Sequence, residues 1–151
     1  METEIKKIIE EFLTKTGFDF TNVSSELDMD SGSFWFKVES PESNLLIGKD
    51  GENLQSINFI IKRFLDKKYK DNAPQILIDT GNFQKAKIDK IKTIAHMMSE
   101  RARFFKSKIE LDPMNSFERR IVHEYVSKHA DLASDSDGVG RDRHIVISFV
   151  K

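Results

Sequence analysis

The sequence predicts an α+β protein of two small domains, residues 1–81 and 82–151. Apolar residues switch repeatedly between helical and strand spacing along the chain. Charged residues make up 32% and hydrophobic residues 38% of the 151 positions, as expected when two small cores share one chain. Residues 1–80 carry 10 Lys+Arg and 15 Asp+Glu (−5), whereas residues 81–151 carry 14 and 10 (+4). The second domain is therefore the better candidate for binding anions.

Composition excludes several protein classes. Because the chain has no cysteine, it has no disulfides, thiolate metal sites or thiol nucleophile. No apolar run exceeds three residues, whereas roughly 20 are needed to cross a bilayer. The first residues are charged and amphipathic, without the apolar core of a signal peptide. We therefore expect a cytoplasmic protein that does not insert into membranes.

The first domain is predicted to follow the order α-β-β-α-α-β. The first helix places apolar residues on one face, and Gly17 ends it. Turn-forming residues 28–32 join two alternating segments into a hairpin. A second apolar stripe, which begins at Leu54 and includes Phe64, predicts a longer helix. The segments after the first helix are strands 18–26 and 33–40, a short helix 40–47, a helix reaching residue 69, and a strand 75–79.

The second domain is predicted to open with a long helix, residues 82–106. Its apolar stripe buries one face and includes Phe105. Asn115, followed three residues later by Glu118, resembles a capping box and predicts where the next helix begins. Residues 137–140 supply a turn. The remaining segments are a strand 109–112, a helix 115–128, and strands 132–136 and 143–150.

A G-x-x-G loop, residues 48–51, separates two helices of the first domain. Its glycines leave backbone N–H groups unobstructed beside a helix N-terminus, where the helix dipole favours an anion such as a sugar-phosphate backbone. The pattern alone also fits an ordinary helix-turn-helix connection. Together with the preceding segment 45–47 and the α-β-β-α-α-β order, it resembles a type II KH domain, a single-stranded nucleic-acid module.

The KH resemblance implies roles for individual residues. The backbone of the nucleic acid would be held by the loop, and an apolar groove beside it would take the bases. Asp50 departs from the family pattern, because a carboxylate here either repels phosphates or serves only to complement the dipole of the following helix. The residues implied to contact nucleic acid are Gly48, Lys49 and Gly51 at the backbone, and Ile47 and Leu54 at the bases.

The helix predicted at 115–128 has one polar, basic face. At 100° per residue, Arg119, Arg120 and His123 lie on this face, opposite the apolar side chains. Arg119 and His123, at i and i+4, can contact neighbouring phosphates or stack under bases. A solvated helix face is the alternative for an isolated Arg–His pair.

The string Leu111–His123 closely resembles the domain named for its R-x-x-x-H motif, and the resemblance extends through residues 134–138 and the last strand. This resemblance implies single-stranded nucleic-acid binding by Arg119 and His123. A KH domain followed by this domain is similar to the Jag family of bacterial RNA-binding proteins, which is linked to envelope growth. Because the chain begins at the KH helix, we expect the separate N-terminal Jag domain of many members to be missing.

Four further cations are candidate phosphate contacts that widen the basic surface. They are Lys106, Lys108, Arg141 and Arg143, and ordinary solvated charge is the alternative for each. We find no spacing typical of a metal, nucleotide or catalytic motif. We therefore expect no metal, no cofactor and no enzymatic activity.

These observations predict a non-enzymatic protein that binds single-stranded RNA, with single-stranded DNA as an alternative ligand. A homodimer, or pairing with a small KH protein, is a further hypothesis about partners. The main competing interpretation is a protein-interaction adaptor that uses the basic C-terminal face. A nuclease with His123 as acid/base is a weaker one.

Overall fold

The chain folds into two compact units, Met1–Gln84 and Lys85–Lys151, in a computed structural model that describes all residues 1–151. Each unit contains a three-stranded sheet with helices. The predicted α+β class with two small domains is therefore confirmed. The domain boundary predicted after residue 81 lies just before the first residue of the long helix, Phe83.

The first unit has a sheet in the order β1-β2-β3. Strands β1 and β2 form an antiparallel hairpin, whereas β2 and β3 are parallel, so the chain must cross over between them. Two helices and a 3₁₀ turn over Lys49–Gly51 make this crossover. The elements are α1 Glu2–Lys15, β1 Asn22–Leu27, β2 Phe34–Glu39, α2 Ser43–Ile47, α3 Glu52–Tyr69 and β3 Ile76–Thr80.

The core of the first unit is formed by one face of α1, one face of α3 and the sheet. Its largest fully buried side chains include Phe36, Ile5 and Leu65. Phe64 corrects the predicted stripe, because it is 51% exposed. The first strand also begins later than predicted, because the Phe18 N–H donates to the Leu13 carbonyl and holds the chain against the end of α1.

The second unit has an antiparallel sheet in the order β4-β6-β5. Helix α4 ends where Lys106 adopts a positive φ of 48°, which an α-helix does not accommodate. No helix of either unit is long and apolar enough to serve as a membrane span. The elements are α4 Phe83–Phe105, β4 Lys108–Glu110, α5 Ser116–Ser127, β5 Leu132–Asp137 and β6 His144–Phe149.

Polar contacts fasten α4 to the rest of the second unit. His96 Nδ1 lies 2.8 Å from the Tyr125 hydroxyl of α5. The Arg103 guanidinium binds Asp131 in a two-pronged ion pair, with distances of 2.7 and 3.0 Å. Phe105 corrects the predicted buried stripe, because it is 61% exposed at the end of the helix.

Candidate nucleic-acid interface

A complete capping box starts α5 and fixes its register. The Glu118 N–H donates to the Asn115 side chain over 2.9 Å, and the Asn115 N–H donates to the Glu118 carboxylate over 3.0 Å. Two backbone donors that the helix leaves unpaired are thereby satisfied. The positions of Arg119, Arg120 and His123 around the helix follow from this start.

His123 is half-buried between α5 and β5. Its Nδ1 lies 2.7 Å from the Ser134 hydroxyl and its Nε2 lies 3.0 Å from the Ser136 hydroxyl. These serines pair with Ile147 and Ile145 of β6, and paired residues share a face, so both hydroxyls lie on the buried face of the sheet. Since both ring nitrogens have partners, His123 ties the helix to the strand. A free nitrogen for acid/base chemistry is not available in this arrangement.

Arg119 and Arg141 line one groove at the start of α5. Arg119 is half-buried, and its Nη1 donates to the Met114 carbonyl over 2.6 Å. The groove has a volume of about 530 Å³ and also includes Gly140. Arg141 is exposed and forms no ion pair. Two cations thus flank a concave surface wide enough for a phosphate-sugar segment. Its remaining lining residues are Pro113, Met114, Asn115, Ser116 and Glu118.

The other cations predicted near this face are engaged elsewhere or lie elsewhere. Arg120 is exposed and forms an ion pair with Glu124 over 3.2 Å, one turn further along α5. Arg143 donates to the Gly138 carbonyl over 3.1 Å and so stabilises the turn before β6. Arg120 and Arg143 therefore have structural partners as well as positive charge.

The expectation that Lys106 and Lys108 widen the His123 surface is corrected. Lys108 of β4 pairs with Ser148 of β6, so its side chain shares a face with Ser148. That face is opposite the one that carries Ser134, because Ser134 pairs with the neighbouring residue Ile147. Lys106 precedes Lys108 by two residues at the end of α4. Both lysines belong to a different surface of the second unit.

The G-x-x-G loop of the first unit requires both of its glycines. Gly48 has φ +72°, and a Cβ there would lie 2.6 Å from the Asn53 side chain. Asn53 itself crosses the loop and donates to the Leu45 carbonyl over 2.8 Å. Gly51 has φ +82°, and a Cβ there would lie 2.5 Å from the Phe83 ring. Backbone geometry and close packing therefore both exclude a side chain.

The residues around the loop differ in their accessibility. Lys49 is exposed and forms no ion pair, and Ile47 is half-buried. Leu54 is only 1% exposed, so the expectation that it lines a groove for bases is wrong. Leu45, which the sequence did not single out, is 56% exposed beside the loop. Asp50 makes no capping hydrogen bond to α3, so its carboxylate remains in solvent next to Lys49.

One group of side chains has metal-ligating atoms close together. Donor atoms of Glu110, Asp137 and His144 lie within 4.8 Å of one another on three neighbouring strands. His144 Nδ1 lies 2.9 Å from the Asp142 carbonyl, and Nε2 lies 3.2 Å from the Glu110 carboxylate. These two contacts raise the pKa of His144 above its usual 6.5. A protonated His144 repels a cation, so we interpret the group as an ion pair.

Comparisons with known proteins agree with the second unit in particular. Residues 89–149 match the family of the R-x-x-x-H domain, and this range contains Arg119 and His123. Over 143 residues the chain is 26% identical to the RNA-binding protein KhpB of Clostridium symbiosum, covering 92% of this chain and 64% of that protein. It is 28% identical over 115 residues to the RNA-binding protein KhpB of Bacillus subtilis, covering 75% and 55%.

A third relative extends the same picture. The RNA-binding protein KhpB of Lactiplantibacillus plantarum is 21% identical over 131 residues, covering 85% of this chain and 40% of that protein. The chain thus spans less than two thirds of the length of each of these relatives. It contains an R-x-x-x-H domain within a two-unit α+β fold.

Proposed function

We propose that this protein is a Jag/KhpB-type protein that binds single-stranded RNA without catalysing a reaction. The match to the R-x-x-x-H domain and the relatives named RNA-binding proteins support both parts of this proposal. The observation that carries it is the groove at the start of α5, where Arg119 and Arg141 flank a concave surface inside the matched domain. Two guanidinium groups on one groove suit successive phosphates of a strand.

His123 has a positioning role in this proposal. Its hydrogen bonds to Ser134 and Ser136 hold α5 against β5. Arg119 lies one turn earlier on the same helix, so its direction depends on this attachment. The R-x-x-x-H spacing would therefore combine one residue that contacts RNA with one that holds the helix in place.

The first unit is proposed to be a type II KH domain. Its α-β-β-α-α-β order and its loop with two positive-φ glycines support this assignment. Lys49 would contact a phosphate, and the glycines would let the backbone approach closely. Ile47 and the exposed Leu45 are the apolar side chains beside the loop that remain for a base. Asp50 would weaken phosphate binding by repulsion.

A role in regulation of envelope growth and a cytoplasmic location belong to the same Jag-type proposal. Partner binding is proposed for the first unit, where α3 exposes Phe59, Ile60 and Phe64 at 64%, 48% and 51%. An apolar helix face of this kind supports a homodimer or pairing with a small KH protein. It is also the observation that favours the adaptor alternative.

The proposal is tested by fluorescence anisotropy of a labelled mixed-sequence single-stranded RNA, titrated at several salt concentrations. Single-stranded DNA and duplex RNA are the competitors. Lys49→Asp and Arg119→Ala are the test variants, because each removes one proposed phosphate contact. Lys7→Asp on the exposed side of α1 and Lys128→Ala after α5 are matched controls for the charge changes.

We expect the wild type to prefer single-stranded RNA and to lose affinity as salt rises. Both test variants should bind more weakly than their controls. RNA binding that is absent at low salt would overturn the proposal in favour of the adaptor. Equal binding by test and control variants would show that the contact residues are wrong. Cleavage of the labelled strand would contradict the non-enzymatic assignment.

A further inference from the structure

We infer that the end of α4 carries a stacking platform for unpaired RNA bases, formed by Phe104 and Phe105 and flanked by Arg101, Lys106 and Lys108. The inference rests on the proposed RNA binding and adds a second contact surface to the second unit. It involves none of the residues of the groove at Arg119.

The two phenylalanines are unusually accessible. Phe104 is 81% exposed and Phe105 is 61% exposed, although they are adjacent residues of a helix and point in directions about 100° apart. Both can face solvent because α4 ends there and the chain turns away at Lys106, with the Ser107 N–H donating to the Ala102 carbonyl. Large exposed apolar side chains in a cluster typically mark a binding surface.

The rings have a defined mutual orientation. Their centroids are 5.0 Å apart and their planes are 87° apart, in an edge-to-face contact. Such a contact is favourable between aromatic rings and restrains both side chains before a ligand arrives. Ring faces directed to solvent are the surfaces on which nucleic-acid bases stack without sequence preference.

Unpaired positive charge surrounds the rings. The cations are exposed and none of them forms an ion pair: Arg101, Lys106 and Lys108. The nearby carboxylates of Glu100 and Asp131 are both bound by Arg103. Since the acids are already neutralised, the field around the rings is positive and favours an anionic ligand.

This combination favours RNA over a protein partner. A single strand alternates bases with phosphates, and the platform alternates ring faces with free cations within eight residues of sequence, 101–108. At the α5 groove, by contrast, Arg119 and Arg143 donate to backbone carbonyls and Arg120 pairs with Glu124. The cations at the end of α4 are the ones whose full charge remains available.

The test compares wild-type protein with Phe104→Ala/Phe105→Ala and Phe104→Leu/Phe105→Leu double variants. Each is titrated with a labelled single-stranded RNA and with the same strand carrying abasic sites. The Leu variant keeps apolar area but removes ring faces, which separates stacking from general apolar contact. Met97→Ala, which removes another exposed apolar side chain of α4, is the matched control. Circular dichroism checks that the variants are folded, and light scattering measures the oligomeric state.

We expect both double variants to bind the normal strand roughly 5- to 150-fold more weakly than wild type, the range for removal of one stacked base. On the abasic strand, wild type and variants should bind alike. A Lys106→Ala/Lys108→Ala variant should lower the slope of affinity against salt by about 0.7 for each phosphate that the protein no longer neutralises.

Three outcomes would overturn the platform. If wild type binds RNA and the double variants bind equally well, the platform is wrong while the proposed function stands. If the variants change the oligomeric state instead, the surface binds a second copy of the chain. If wild type does not bind RNA, both the platform and the proposed function fail.

Discussion

Gly51 and Gly17 have the same positive φ of +82° but different surroundings. A Cβ at Gly51 would lie 2.5 Å from the Phe83 ring, whereas a Cβ at Gly17 would meet nothing within 4 Å. Phe83 packs against the core and cannot move aside without disturbing its neighbours there. Substituting alanine at the two positions therefore separates backbone strain from steric overlap.

We expect Gly17→Ala to lower the free energy of unfolding by roughly 1–2 kcal/mol, the penalty of the left-handed conformation. Gly51→Ala should lower it by about 1–3 kcal/mol more, because the methyl group overlaps the ring. Urea unfolding measured by circular dichroism checks both values. Equal decreases at the two sites would contradict the packing described at Gly51.

His123 gives the second prediction at this scale. His123→Ala removes the hydrogen bonds to Ser134 and Ser136, and we expect the free energy of unfolding to fall by about 1–3 kcal/mol. In a Ser134→Ala/Ser136→Ala background the same substitution should have a smaller effect, because its partners are already gone. His129→Ala, which removes a ring contact with Tyr125 but no side-chain hydrogen bond, is the control. An unchanged effect in the double background would exclude the positioning role.

The partners of His123 also show why some residues escape sequence reasoning. Helical spacing correctly puts Arg119 and His123 on the same side of α5, because the capping box fixes the register. Spacing does not reveal which strand lies over that side, so the two serines were not foreseen. Leu54 and Phe105 fail for a related reason. An apolar stripe shows which residues can be buried, but the neighbouring elements decide where the burial ends.

At the scale of elements, the start of α5 depends on two reciprocal hydrogen bonds. Asn115→Ala removes the acceptor for the Glu118 N–H and should lower the free energy of unfolding by roughly 0.5–2 kcal/mol. Ser116→Ala, at the next position, should have little effect because Ser116 is exposed and does not cap the helix. Thermal unfolding of both variants measures the difference. A Ser116→Ala variant as unstable as Asn115→Ala would assign the destabilisation to something other than the cap.

The attachment of β4 to β6 should depend on pH through His144. The Asp142 carbonyl and then the Glu110 carboxylate raise the pKa of His144 above 6.5, and the nearby Asp137 charge acts in the same direction. Because the folded state favours the protonated ring, this stabilisation is fully present below the unfolded pKa of about 6.5. It is lost as pH rises through the higher folded pKa.

We therefore expect the melting temperature to fall as pH rises from about 6 to 9, and the fall to be smaller in His144→Gln, which carries no titrating ring. Glu110→Gln should shift the dependence towards lower pH, because it removes one cause of the raised pKa. Melting curves across this range check both variants. The idea is excluded if His144→Gln and wild type give parallel curves.

Element order was predictable because each change of period in the apolar pattern is a local property of the chain. Element ends were less so. Strand β1 begins at Asn22 and not at Phe18, because a hydrogen bond to Leu13 keeps Phe18 at the end of α1. Sheet order was not predictable for a similar reason, since strand pairing is decided between residues distant in sequence. The separation of Lys108 from the His123 surface follows directly from that pairing.

At the scale of the whole molecule, charge divides along the same line as the fold. The unit Met1–Gln84 contains 10 Lys+Arg and 15 Asp+Glu, and the unit Lys85–Lys151 contains 14 and 10. An RNA strand is therefore attracted to the second unit and repelled on average by the first. Any contact with the loop at Lys49 has to form against this repulsion. Such a contact should form only once the second unit holds the strand nearby.

Strand length should expose this dependence. On an RNA of about 4 nucleotides, too short for both units, the positive second unit dominates binding and Lys49→Asp should match wild type. On a strand of roughly 16 nucleotides or more, the first unit engages at high effective concentration, and Lys49→Asp should bind up to about 100-fold more weakly. Arg119→Ala should weaken binding at both lengths, because it acts in the unit that captures the strand. Anisotropy over a series of strand lengths measures all three proteins. A length-independent effect of Lys49→Asp would mean that the loop binds RNA by itself, and no effect at any length would mean that the first unit serves another ligand.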